Sequence, residues 1–246
     1  EFFDEDSHDE LDKWFPVAVL DKLSAILSYS ASLDENFNII TNTLVSNIIR
    51  YVSQQNPRDL RINFRRELIQ DADVFGLLEK NLEKLVESMK NYHYGRNIIN
   101  CPLGAVTIIE GDNQNINHWP TNIDLIISSP PYGSALPYID TYRLSNLLLF
   151  GTKRLDCDRL EKSLTGGRAI TKKEREKIQE AYILDKESIV SSTAREAIDR
   201  IIEIHKPAKN GFRRKNTASI TIRYFLQMQD AFHLMTTRSA SRTRAA

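Results

Sequence analysis

The run Asp124-Leu-Ile-Ile-Ser128 ends at Ser129-Pro130-Pro131-Tyr132, and that junction constrains the fold more than any other stretch of the chain. Leu125, Ile126 and Ile127 follow one another without alternation, the pattern of a strand buried on both faces. Two successive prolines cannot donate to a ladder, so such a strand has to end where they begin. They also hold φ near about −65° and drive the residue before them into extended backbone. The carbonyls of Ser129 and Pro130 are thereby left as rigid acceptors beside the ring of Tyr132.

The segments around this junction predict an alternation of strand and helix from about residue 100. Val106 to Glu110 is a second β-rich run, closing on Gly111-Asp112. Tyr138 to Phe150 carries Ile139, Tyr142, Leu147 and Leu149 at helical spacing, with Gly151 as its stop. This pattern is that of an α/β sheet whose loop and Asp112 lie at the carboxyl edge of neighbouring strands, where open sheets bind ligands. Residues 152–185 are densely charged and contain Ser163-Leu-Thr-Gly-Gly-Arg168 as a flexible loop. Thr171-Lys-Lys-Glu174 has the form of a capping box. Further amphipathic helices are expected at 188–204 and 217–235, before a basic tail at 236–246 of disordered composition.

The first 99 residues read instead as a helical segment. Leu20, Leu23 and Leu27 make one apolar stripe, with Pro16 at the first turn. Phe37, Ile40, Leu44, Ile48 and Val52 make a second, and Phe75, Leu78, Leu82, Leu85 and Met89 a third. All three are expected to pack helix against helix.

Ser129-Pro-Pro-Tyr132 and its surroundings, from Ile123 through Pro137-Tyr-Ile-Asp-Thr-Tyr-Arg-Leu-Ser145, resemble the catalytic loop of the S-adenosylmethionine-dependent amino methyltransferases, the DNA adenine-N6 and cytosine-N4 enzymes. The resemblance covers residues 100–150. It implies a partial Rossmann-like methyltransferase core over 100–235, S-adenosylmethionine as cofactor and DNA as partner, as in a restriction-modification enzyme. Ser129 and Pro130 would orient the exocyclic amine, Pro131 would stiffen the loop and Tyr132 would stack on the base. Asp112 would face the cofactor's adenine. Serine at position 129 leans toward cytosine N4 over adenine N6. The chemistry suits the residues: an exocyclic amine brings two N–H donors to two fixed acceptors, and positioning supplies most of the rate.

Two other readings of the loop stand beside this one, an ordinary turn and a polyproline ligand. A peptide ligand belongs in a polar stretch, whereas this loop follows a β-rich run and precedes an amphipathic one.

The chain has 246 residues, 41% of them hydrophobic, and a formal net charge of zero. Nucleic-acid contact therefore has to come from local basic patches rather than bulk attraction. Arg61, Arg65 and Arg66, in a polar link among Asn and Gln, are one candidate, although a salt-bridged linker has the same composition. Arg213, Arg214 and Lys215, flanked by Gly211 and Phe212 just before a helix, are the other. Arg143 reads as a phosphate ligand or as an ion-pair partner. Cys101 and Cys157 form no Cys-x-x-Cys pair and the five histidines show no ligand spacing, so no disulfide framework and no metal are expected. The absence of a long apolar run and the acidic start point to a soluble, cytoplasmic protein without membrane association.

The family's glycine-rich cofactor turn has no counterpart among the nine glycines, and neither the acidic ribose ligand nor the Leu-Lys-Pro-Gly-Gly turn is present. The expectation is an internal portion of a larger methyltransferase chain or a truncated relative, binding S-adenosylmethionine weakly or not at all alone. An RNA base-amino methyltransferase and a non-catalytic nucleic-acid-binding remnant are the alternatives.

Overall fold

The computed structural model describes residues 5–99, 102, 104–133, 138–152, 154–204 and 211–245, with side chains for all but 5–8, 154, 155, 212, 213 and 240–245. Cys101 and the side chain of Arg213 lie outside the described residues. The chain folds into two units, Glu1–Ala105 with Tyr138–Cys157, and Val106–Pro137 with Asp158–Ala246.

In the first unit, α1 (Glu5–Trp14), α2 (Val17–Ala31), α3 (Glu35–Val52), α4 (Val74–Ile98) and α5 (Tyr138–Phe150) form a helical assembly. Pro16 precedes α2 and supplies extended backbone at its N-cap. Asp34 opens α3 by accepting from the backbone N–H of Asn36 at 2.9 Å and of Phe37 at 3.3 Å, and Asp73 opens α4 by accepting from Gly76 at 3.0 Å. The stripe Leu20, Leu23, Leu27 is buried, as are Leu44, Ile48 and Val52 of the second. All of these but Leu44 meet Leu11, Phe15, Val74, Leu144, Leu147 and Leu148 in one core. Gly151 ends α5 with φ +60°, donating to the Leu147 carbonyl at 3.1 Å while Thr152 donates to Asn146.

The polar link after α3 is ordered rather than open. Gln54 is buried and its amide pairs with the Ile69 backbone in both directions, Nε2 to O at 2.8 Å and N to Oε1 at 3.0 Å. Phe64 stacks on Trp14 with ring centroids 4.2 Å apart.

In the second unit, α7 (Lys172–Leu184), α8 (Ser192–Ile204) and the long α9 (Phe212–Arg238) enclose a small core of Tyr182, Ile189, Ala194, Ile198 and Ile222; α6 (Arg154–Ser163) belongs to this unit only from Asp158 on. The expected capping box is present: Thr171 Oγ1 accepts from the Glu174 N–H, and the Glu174 carboxylate accepts from Thr171 N–H at 2.7 Å. Hydrogen bonding from Thr171, its backbone N–H first and its side chain second, holds the Glu174 carboxyl below its usual range.

The α/β expectation is overturned. The chain is predominantly helical, and the described residues contain no Rossmann-like sheet; β1 (Ile123–Ile126) pairs in parallel only with β2 (Ser239–Ala245), through a register irregularity after Ile123. Val106 to Glu110 forms no strand, and Ile108 is 91% exposed. A β-rich run becomes the centre of a parallel sheet only when other strands flank it and helices cover both faces. Here the apolar side chains of Leu125 and Ile127 are exposed instead. The tail read as disordered supplies β2, the single partner. The helix read at 138–150 is present as α5, and its Leu144, Leu147 and Leu148 are buried with the N-terminal helices.

Candidate functional site

Past β1, the chain leaves its ladder at Ile127 and runs exposed through Ser128, Ser129 and Pro130, with Pro131 half-buried. Tyr132 is 60% exposed. The loop is anchored just beyond that ring. A Cβ added to Gly133 would lie 3.1 Å from two ring carbons of Tyr224 on α9, and one added to Gly166 would lie 3.2 Å from the Tyr132 carbonyl oxygen and 3.5 Å from the same Tyr224 ring. The Tyr132–Gly133 backbone is thus flanked by an aromatic ring and by a glycine whose φ of +76° disfavours a side chain.

The Gly166 turn is itself tied to α9. Arg223 donates through Nη1 to the Ala169 carbonyl at 3.2 Å and through Nη2 to the Gly167 carbonyl. Burial lowers the affinity of this guanidinium for its proton, and the carboxylates of Glu174 and Glu161 oppose that shift. Gly167 is packed so closely that a Cβ would run into the Glu161 carbonyl. Two consecutive residues of one helix, Arg223 and Tyr224, therefore hold two loops.

Asp112 lies in a separate turn of the same unit. Its Oδ1 accepts from the Gln114 N–H at 2.9 Å, its own N–H donates to His118 Nδ1 at 2.7 Å, and Trp119 Nε1 donates to the Asn113 carbonyl at 2.9 Å. Gln114 reaches Thr165, next to Gly166, at 3.4 Å. One oxygen of the exposed Asp112 carboxylate is used within its own turn, and the space beside Gly111 is filled by the His118 imidazole, which a Cβ there would meet at 2.5 Å. No pair of adjacent strand ends frames Asp112. The Gly111–Asp112 turn does not fit S-adenosylmethionine: neither a backbone cradle nor a strand-edge crevice forms there among the described residues.

The basic candidates have different fates. Arg65 Nη2 donates to the carbonyls of Arg50 and Tyr51 at 3.3 and 3.2 Å, covering the last carbonyls of α3. Arg61 is half-buried and Arg66 exposed. Arg214 and Lys215 are exposed in the first turn of α9, in the other unit. Arg143 is paired with Asp140 at 3.5 Å within α5.

Arg223, Tyr224 and Gly166 escaped the sequence reading. Gly166-Gly167 signalled only a loop, and nothing in a helical stripe marks a tyrosine that faces a loop over 90 positions away.

No protein-family profile, curated protein or solved structure matches this chain. Among the described residues no helix is long and apolar enough to cross a membrane, and no group of three or more His, Cys, Asp or Glu side chains is placed to hold a metal ion.

Proposed function

We propose that Ser129-Pro130-Pro131-Tyr132 holds the exocyclic amino group of an extruded DNA base, as the target-base element of an S-adenosylmethionine-dependent amino methyltransferase, with cytosine N4 favoured over adenine N6. The observation that carries this reading is an exposed acceptor-and-ring loop on a fixed base. Ser129, Pro130 and Tyr132 face solvent, while Gly133 is seated against Tyr224 and Gly166. Prolines 130 and 131 donate no backbone hydrogen bond, so the loop offers the base acceptors and few competing donors.

The amine's two N–H groups meet the Ser129 and Pro130 carbonyls, which fixes the nitrogen and aims its remaining face outward. Rotating a paired base out of its stack costs roughly a few kcal/mol. Stacking on an aromatic side chain returns about 1–3 kcal/mol per base, and Tyr132 has the exposed ring for it. Arg214 and Lys215 are the phosphate contacts of the same unit. The methyl donor would be held by residues other than the Gly111–Asp112 turn.

The filling of the space beside Gly111 by the His118 imidazole favours one second reading, a nucleic-acid-binding protein without a cofactor site. Equilibrium binding of the full chain to a duplex with one cytosine opposite an abasic position, to the fully paired duplex and to the matching RNA tests the proposal. Tighter binding of the orphaned cytosine, lost in Tyr132→Ala, is the expected result. Equal affinity for the orphaned and paired duplexes would refute base capture, and preference for the RNA arm would favour an RNA target. Repetition with S-adenosylmethionine separates the readings: cofactor-enhanced binding and methyl transfer belong to an enzyme, and indifference to a binding protein.

A further inference from the structure

The third apolar stripe packs only at its beginning. Val74 is buried, and Leu77 and Leu78 lie against the core of their unit. Beyond them α4 continues to Ile98 with Leu85 half-buried and its other apolar residues exposed, Met89 at 60% and Tyr92 at 64%. The order Phe75, Leu78, Leu82, Leu85, Met89, Tyr92 alternates steps of three and four, the seam of a two-stranded coil rather than the wider face of a helix in a globular core. The part of α4 beyond Leu78, residues 79–98, is about 30 Å long, close to three heptads.

Charge beside the seam selects the partner. Directly beside the seam, Glu79, Val86 and His93 lie on one flank and the uncharged Asn81, Ser88 and Gly95 on the other; one step farther out stand Glu83 and Lys90 on the first side and Lys84 on the second. In a parallel pair each flank meets the opposite flank, so Glu79 and His93, the charges directly beside the seam, would face uncharged residues. In an antiparallel pair like flanks meet. Glu79 then faces His93 of a second copy and Glu83 faces Lys90, while the helix dipoles run in opposition.

We propose that α4 forms an antiparallel two-helix coil with α4 of a second copy of this chain, centred near Glu87, with Leu85 layered against Met89 and Leu82 against Tyr92. The seam carries no function of its own here; it makes the protein a dimer independently of what the Ser129–Tyr132 loop binds.

Sedimentation equilibrium of the full chain tests this. The expected mass rises with concentration toward twice the 28.3 kDa of one chain. Leu82→Glu and Met89→Glu, both at exposed positions, should each weaken the dimer at least about tenfold, the equivalent of 1.4 kcal/mol, with unchanged far-UV circular dichroism. A monomer at every concentration, or a dimer indifferent to both substitutions, overturns the proposal. Orientation is read separately in a Cys101→Ser, Cys157→Ala background. Leu85→Cys and Met89→Cys proteins should oxidise to a mixed disulfide when combined and to little when alone, located by peptide mapping; disulfides formed by each protein alone would mean a parallel seam and overturn the antiparallel assignment.

Discussion

Replacing Arg223 by methionine should loosen the loop that holds Gly133 while leaving the apolar stem of residue 223 in place. The guanidinium donates to two backbone carbonyls, those of Gly167 and Ala169, and Gly167 is buried. A charged donor contributes about 1.5–3 kcal/mol per hydrogen bond, and an acceptor left buried without a partner costs about 1–3 kcal/mol. Methionine keeps most of the packing, so the loss is electrostatic. Part of the burial cost of the guanidinium is regained, because its desolvation opposes its charged form. The balance is a loss of about 2–4 kcal/mol. Urea unfolding followed by circular dichroism reads it as a fall in midpoint of about 1 M or more at an unchanged slope. Arg223→Lys should recover less than half, because a single ammonium does not span both carbonyls with a planar fork. A methionine variant within about 0.5 kcal/mol of the parent would refute the idea that Arg223 fastens this loop.

Gly166→Ala, forced into left-handed backbone and toward the Tyr132 carbonyl, should cost about 1–2 kcal/mol from φ alone and lower affinity for an orphaned cytosine; undiminished binding would separate this turn from the loop. Tyr182 is buried, and burial first, then the Asp199 carboxylate that accepts its hydroxyl proton, pushes its pKa from 10.0 up to about 12. Its neutral form is favoured in the folded state, so this contribution is complete below pH 10 and lost as pH rises toward about 12; Tyr182→Phe should remove that alkaline fall in urea midpoint. Gln54→Leu, which abolishes both amide bonds to Ile69, should lower stability by about 1–3 kcal/mol in the same assay.

Local signals in the sequence translate well into local structure. Thr171-x-x-Glu174 is a capping box because both partners are within one turn, and Gly151 ends α5 because the left-handed position needs no distant neighbour. The buried stripes of α2 and α3 follow from periodicity alone. Strand pairing does not. Val106 to Glu110 and Leu125 to Ile127 have the composition of strands, yet a strand is made by its partner, and one run has none among the described residues while the other pairs with a stretch more than a hundred positions away. The third stripe shows the same limit on a helix: Phe75 to Met89 is periodic, but the period does not say what covers it. For Arg65 a polar setting left a nucleic-acid contact and a salt-bridged linker both open, because it hides the end of α3, whose carbonyls Arg65 covers. The Ser129–Tyr132 loop was legible as an exposed rigid turn, whereas its support by Tyr224 was not.

The central claim is that Tyr132 stacks on a base drawn out of its helix. A duplex carrying 5-iodocytosine opposite an abasic position, irradiated in complex with the full chain and mapped by mass spectrometry, tests it most directly. The account predicts a crosslink on Tyr132 that is lost with a paired 5-iodocytosine; crosslinks confined to other residues, or equal yield from the paired base, would contradict it.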